Sequence, residues 1–526
     1  MADIALAAPA SRPEPVVTPR RFIAFAALVF GMFMAIMDIQ IVSSSLSQIQ
    51  AGLSAAPNEV SWVQTSYLIA EVVMIPLSGF LSRALSTRVL FTLSAAGFTL
   101  ASALCASATS LNQMIIFRAL QGFIGGGMIP TAFAASYIIF PKRLQGPVMA
   151  VVGLTVTLAP TIGPTIGGYL TELLSWHWLF LINVPPGIAA TLLAWFLVDF
   201  DEPDHALLRR FDFLGLATMT LFLGSLQYVL EEGQTNDWFA DETIVLMTAL
   251  AVGGAVAFFW RTFTAQTPIV DLSTYRDRNF AVGSLLTFVL GIGLYGLTYL
   301  YPLYLARIRG YTSLQIGETV FVTGAAMFCT APVVGNLVRR VDPRKLIGLG
   351  LAGFAASTYM VTPLTADWAF GELFWPQAFR GVSLMLCMIP INTIALGTLP
   401  PDRVKNASGL FNLTRNLGGA VGLATINTVL QSRTDLHYQR LAEQVRWGSV
   451  AAEERLANIA AGLSSTLGPA ADGAALARVA GMVRQQATVM AFADIFLLLA
   501  VMFAATLVFV PLVQRPQGTA GAAGGH

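Results

Sequence analysis

The chain holds 526 residues, of which 55% are hydrophobic and only 11% charged, with a mean hydropathy of +0.68. A water-soluble surface normally needs about a quarter of its residues charged, so the length does not translate into three or four soluble domains. The 30 Lys+Arg and 29 Asp+Glu nearly cancel, which removes bulk attraction to nucleic acid or acidic partners.

A bilayer core takes about 20 apolar residues per helix. The Ala- and Pro-rich N-terminus, 1–21, has no apolar run and reads as a tail. Cutting at Pro/Gly turns and charge clusters then predicts fourteen spans: 22–46, 59–80, 88–108, 112–138, 146–170, 177–198, 213–230, 243–260, 280–304, 314–337, 345–362, 370–398, 405–430 and 487–511. A Gly/Ala tail, 512–526, closes the chain. Cys105, Cys329 and Cys387 lie in apolar runs and read as small buried hydrophobes. Lys and Arg should gather in cytoplasmic loops. With the N-terminus inside, nineteen fall in inner segments and two in short outer loops. The expected topology is N-in, C-in, with an even number of spans.

The two halves repeat. Pro76, Gly79, Leu81, Arg83 and Arg88 recur 256 residues later as Pro332, Gly335, Leu337, Arg339 and Arg344. Phe117-Arg118 with Met128-Ile129-Pro130 recurs as Phe379-Arg380 with Met388-Ile389-Pro390. Both pairs sit on spans running in the same direction, so the repeat is parallel, as in two bundles related by an axis along the membrane normal. The organisation expected is one six-helix bundle over 22–198, two additional helices with linkers over 199–278, and a second six-helix bundle over 279–511. The second bundle includes a long outer segment, 431–486.

The fifth span carries Pro160, Gly163, Pro164, Gly167 and Gly168 within Leu158-Ala-Pro-Thr-Ile-Gly-Pro-Thr-Ile-Gly-Gly168. Prolines there remove backbone donors, and glycines allow close helix contact. This spacing resembles the G-P-x-x-G-G signature of major facilitator superfamily drug exporters. Trp176 to Gly187 resembles the W-R-W-x-F-x-I-N-x-P-x-G run of the fourteen-span branch, Met37-Asp38-Ile39-Gln40-Ile41-Val42 the first-span D-x-T-I-V motif, and Arg118-Ala-Leu-Gln121-Gly122 the fourth-span R-x-x-Q-G motif. Together they resemble the EmrB/QacA family of drug:proton antiporters, on its EmrB side, across essentially the whole chain. The resemblance implies an all-α integral membrane protein of the major facilitator fold, in the bacterial inner membrane. It also implies no cofactor, with the proton gradient as energy source. One gating motif departs from the family: in G-x-L-x-D-R-x-G-R-R, Arg83 stands at the Asp position and Ser86 at the Gly position, so the charge relay after span two is in question. The gating-loop candidates are Gly79, Arg83, Arg88, Gly335, Arg339 and Arg344.

An ionisable residue inside a span costs about 2.5–3.5 kcal/mol on insertion scales and is a functional candidate by default. Asp38 and Arg118 both fall in the outer half of the membrane and are placed to pair; in related antiporters such a pair couples protonation to conformation. Glu71, midway along the second span with no neighbouring cation in sequence, is a second candidate proton carrier or an attraction for cationic drugs. Arg380 and Arg415, with Asn412 beside the latter, would bind an anionic substrate group or pair with a carboxylate, pairing being favoured. Asp494 reads as an outer-rim charge. Met34 belongs to a Met- and Phe-rich face suited to flat lipophilic compounds. By the same resemblance, the outer segment would meet a periplasmic adaptor of the EmrA type and, through it, an outer-membrane channel.

The sequence shows no metalloprotease, nucleophile-elbow or phosphate-loop motif. The reading is therefore a proton-coupled exporter of lipophilic drugs or toxic organic compounds. A dedicated exporter of one siderophore or phenolic is the alternative, and a non-transporting receptor stands further off.

Overall fold

The computed structural model describes residues 17–56, 59–443, 445 and 449–514, so most of both expected tails lies outside the described residues. Every regular element among them is helical. Lipid forces this, because only helices and closed barrels satisfy every backbone polar group without water. In chain order the long helices are α1 (Pro19–Ser44), α2 (Trp62–Leu85), α3 (Thr87–Ala106), α4 (Leu111–Ile139), α5 (Lys142–Leu173), α6 (Trp178–Leu197) and α7 (Phe213–Glu232). They continue as α8 (Glu242–Thr264), α9 (Arg278–Arg307), α10 (Ser313–Leu337), α11 (Pro343–Tyr359), α12 (Phe370–Gly397), α13 (Pro401–Ala442) and α14 (Ala471–Thr506).

Twelve of these segments are long and apolar enough to cross a membrane. The other two pack among them in the expected places. α11 is a short 17-residue helix, and the apolar run of α13 is interrupted by Lys405, Asn406, Asn412, Arg415 and Asn416. Two spans expected to be continuous are broken. α4 turns at Gly126-Gly127, and α6 restarts at Val184, where Pro185 and Pro186 occupy the first turn and sacrifice only amides that a helix start leaves unpaired. Cys329 is exposed, against its reading as a buried hydrophobe, while Cys105 and Cys387 are buried.

Helices α1 to α6 pack among themselves, as do α9 to α14. The two groups meet along two seams, α2 against α13 and α5 against α10. The repeat matches α2 with α10 and, by span order, α5 with α13. Exchanging the halves therefore exchanges the seams, as a two-fold axis along the membrane normal requires. The added pair, α7 and α8, lies outside the first seam, with α7 against both α2 and α13.

At 1.5 Å per residue, the 42-residue α13 and 36-residue α14 are about 63 and 54 Å long. Both outrun a bilayer core of about 30 Å, and they do so at the end opposite the arginine-rich loops. The expected limits at 430 and 487 are thus not helix ends. A further helix, Val450–Leu467, packs on α14. Asp494 ties α14 to α13, bonded to His437 Nε2 at 2.8 Å with Arg433 Nε at 3.7 Å.

Candidate functional site

The structure joins Asp38 and Arg118. Arg118 Nη1 donates to Asp38 Oδ2 at 2.6 Å, and neither side chain has any exposed surface. The other carboxylate oxygen accepts from Asn183 Nδ2 at 2.7 Å and Gln121 Nε2 at 3.3 Å. Arg118 also donates to Gln121 Oε1 at 2.7 Å and to the Val63 carbonyl at 3.1 Å, with its guanidinium 4.2 Å from the Tyr67 ring centroid. Ser102 Oγ accepts from Gln121 and Asn183, both at 3.2 Å, and donates to the Phe180 carbonyl. Five of the first six helices thus supply one network. A buried ion pair repays its desolvation only when its remaining lone pairs and protons are satisfied in this way. One donor, Arg118 Nη2, finds no acceptor.

The α5 motif keeps α1, and therefore Asp38, in place. Pro160 and Pro164 stay inside one continuous helix. A Cβ on Gly163 would lie 2.7 Å from Gln40 Cβ, and one on Gly167 would lie 2.9 Å from Ser44 Oγ. The carbonyls of Gly167 and Gly168 both accept from Thr171 Oγ1. Any larger side chain at the first two positions pushes α1 away from α5.

The second half keeps the arginine without the acid. Arg380 is buried and donates to Thr298 Oγ1 at 3.0 Å and weakly to the Leu297 carbonyl, over the Tyr301 ring, with its Nε unpartnered. Arg415 donates to Asn412 Oδ1 at 2.6 Å and reaches across to the first half, 5.2 Å from the Phe133 ring centroid. Its Nε and Nη1 find no acceptor. Neither arginine sits in an ion pair among the described residues, against the expectation that they pair with carboxylates. Glu71 is buried on α2, its Oε1 without a donor. Its helix packs against α13, which carries Arg415, across the first seam. Met34 is buried in the apolar core of the first half, at 2% exposure.

The gating-loop residues gather at the arginine-rich end. A Cβ on Gly79 would lie 3.0 Å from Asn406 Cα, and one on Gly335 would lie 3.1 Å from the Gly146 carbonyl. Each glycine lets its helix press on the start of the opposite half's helix. Arg83 Nε donates to the Gly79 carbonyl, and Arg88 lies 5.1 Å from the Trp195 ring centroid. Arg339 Nη1 donates to the Arg143 carbonyl at 2.7 Å, whereas Arg344 Nε is buried without a partner. Ser86 has φ +80° and ψ 156°, a region that favours glycine. That explains a glycine at this place in the family motif; here the Ser86 hydroxyl caps α3 through Val89 N. Tyr137 of α4 donates to the Asn392 carbonyl of α12 at 2.7 Å, adding a further bond between the halves at this end.

Asn183, Gln121, Tyr67 and Ser102 were not among the expected site residues. Two of them stood inside quoted motifs, Gln121 in R-x-x-Q-G and Asn183 in I-N-x-P. The signal was an uncharged polar residue held constant inside an apolar run.

Residues 28–423 match the family model described as Major Facilitator Superfamily. The chain is 42% identical over 493 residues to the colistin resistance protein EmrB of Acinetobacter baumannii, covering 93% of this chain and 96% of that one. It is 33% identical over 502 residues to the fatty acid resistance protein FarB of Neisseria gonorrhoeae, covering 95% and 97%. It is 30% identical over 500 residues to the multidrug export protein EmrB of Escherichia coli, covering 95% and 96%. Among solved structures, the human organic anion transporter MFSD10 (TETRAN) resembles it in fold, with a TM-score of 0.58 at 14% identity, over 92% of this chain and 100% of that one.

Proposed function

The chain belongs to the major facilitator superfamily, a family of transporters and not enzymes, and on that premise we propose that it exports lipophilic drugs or toxic organic compounds by proton-coupled alternating access. It is a multi-pass protein of the bacterial inner membrane. The N-terminus faces the cytoplasm in this reading, so the arginine-rich end is the inner end.

The observation that carries the coupling is the wholly buried Asp38–Arg118 pair. Asp38 exchanges its guanidinium for a proton, and Arg118, released, re-forms its bonds elsewhere in the half. Because five helices share the network, that exchange is felt through the whole bundle. Glu71 is the second carboxyl in the path. Arg415, buried at the seam with two unpaired donors, is the group that receives an acidic head on a lipophilic substrate, with Asn412 orienting it. No cofactor enters this cycle, and the proton gradient drives it. The relatives' names, covering multiple drugs, colistin and fatty acids, support a broad lipophilic range over one dedicated compound. The projecting ends of α13 and α14 are where a periplasmic adaptor of the EmrA type, leading to an outer-membrane channel, would dock.

The test uses everted membrane vesicles acidified inside by respiration, with a dye reporting ΔpH. Lipophilic cations, uncouplers, fatty acids and phenolics are added in turn. Substrate-dependent collapse of ΔpH that is lost in Asp38→Asn or Glu71→Gln supports antiport and identifies the coupling carboxylate. Silence towards every compound in well-expressed protein removes the broad-exporter reading.

A further inference from the structure

The degraded gating motif leaves a gap that another segment fills. Arg83 stands where the family motif has an acid, so α2 cannot supply a carboxylate at its inner end. Asp201, in the connector between α6 and α7, lies there instead. Its Oδ2 accepts from Thr87 N at 2.8 Å and Thr87 Oγ1 at 2.6 Å, at the first residue of α3, where a helix N-terminus favours negative charge. The same oxygen holds the Lys405 ammonium of α13, and the two side chains are only 11% and 10% exposed. Lys405 also donates to the Ser82 carbonyl at 2.9 Å. The connector is fastened again by Asp204 N donating to the Arg83 carbonyl at 3.0 Å.

These contacts belong to opposite halves. Asp201, Ser82, Thr87 and Arg83 move with the first bundle, and Lys405 with the second. At the inner end of the other seam the two halves are joined by Arg339 Nη1 donating to the Arg143 backbone carbonyl, between exposed residues. Beside the pair lies a cavity of about 410 Å³ lined by Arg83, Glu202, Asp204, Asp271 and Arg403, so water can reach the ions once they part. A largely buried pair with a second bond on the same ammonium is a two-state contact: made when the halves meet, and solvated when they separate.

We propose that Asp201 and Lys405 form the latch that holds the inner end of the transporter closed, the connector's carboxylate replacing the acid that Arg83 displaced. Asp201 is thus a positioning residue, acting on the equilibrium between conformations and not on substrate. The inserted pair α7–α8, whose leading connector carries the acid, is thereby tied to the gate. The proposal rests on the alternating-access reading above.

The experiment places nitroxide labels at Lys142→Cys and Lys345→Cys, exposed positions at the same end of opposite halves, with the exposed Cys329 replaced by Ser. Distances are measured by pulsed electron resonance in lipid nanodiscs, and the ΔpH assay is run in parallel. Asp201→Asn and Lys405→Gln should each raise the long-to-short population ratio at least about fivefold, within the usual range of coupling between states. Lys405→Arg should keep the original distribution, and the double neutral variant should shift it no further than either single change. An unchanged distribution in both singles, or an additive shift in the double, overturns the latch. A shifted distribution in a protein that moves no compound, even unmutated, leaves the latch standing and sinks the transport reading instead.

Discussion

Replacing Asp38 by Asn tests the buried network most directly. The carboxylate meets three donors, from Arg118 at 2.6 Å, Asn183 at 2.7 Å and Gln121 at 3.3 Å. An amide offers one acceptor oxygen. Turned towards Arg118, it presents its NH2 to Asn183, donor against donor; turned the other way, it takes the acceptor from the guanidinium. Either way Arg118 becomes a buried cation without a counter-charge, and breaking one side of such a pair costs about 3–5 kcal/mol. Arg118→Gln should cost a similar amount by stranding Asp38. The double variant Asp38→Asn/Arg118→Gln strands neither, and its two amides can bond to each other. Its loss should fall short of the sum of the singles by at least about 2 kcal/mol, within the range seen for coupled neighbours. Denaturant unfolding in detergent, followed through the nine tryptophans, measures all three, and the vesicle assay should show coupling lost in each. Additive destabilisation, or a folded Asp38→Asn protein that still collapses ΔpH on substrate addition, refutes the reasoning.

Three further substitutions test packing and backbone strain. Gly163→Ala forces a Cβ to within 2.7 Å of Gln40 Cβ and should cost about 1–3 kcal/mol as an overpacked contact, with a matching fall in transport. Gly253→Ala, which meets nothing within 4 Å, should be neutral or stabilise by up to about 1 kcal/mol; equal effects at the two sites would show that α1·α5 contact is not limiting. Ser86→Gly removes a side chain from a backbone region costing about 1–3 kcal/mol for non-glycine residues. It gives up a weak cap worth a few tenths and adds unfolded-state entropy of about 0.5–1 kcal/mol, for a net gain of about 0.5–1 kcal/mol. A loss of stability in the same unfolding assay would show that Ser86 is not strained.

The spans were legible because lipid permits so few backbone solutions, and the repeat because both halves keep Pro, Gly and Arg at their inner turns. Asp38 and Arg118 could be paired from depth alone: one enters from inside, the other from outside, and both reach the same level. Other features needed the tertiary structure. The break at Gly126-Gly127 hides inside an apolar run, since glycine is as common in packed membrane helices as in turns. The reach of α13 to Ala442 is hidden for the opposite reason, its helix-forming residues continuing past the apolar stretch without a stop signal. Glu71 and Arg415 belong to different halves, and no local pattern announces that the α2·α13 seam brings them together. Asp201 was missed because the motif directs attention to position 83, whereas the acid comes from a connector far along the chain.

The two halves share a fold but not a charge pattern. Thr298 bonds Arg380 as Asp38 bonds Arg118, and the offset that relates the two arginines sets Ser383 against Gln121. On the proposed function the carboxyls that carry protons, Asp38 and Glu71, therefore lie in the first half, while Arg380 and Arg415, neither in an ion pair among the described residues, lie in the second. In that reading a proton arriving at Glu71 removes a negative charge from the packed α2·α13 seam, where Arg415 is also buried, and so weakens attraction between the halves along that seam. Lys405 and Asp201 close the inner end of that same seam. Glu71→Gln, which fixes the neutral state, should then lengthen the distance between labels at 142 and 345 in the same direction as Lys405→Gln, and the unmutated protein should follow it as pH falls. A Glu71→Gln protein with the distance distribution of the parent, at every pH, would separate the proton site from the gate and place coupling entirely in Asp38 and Arg118.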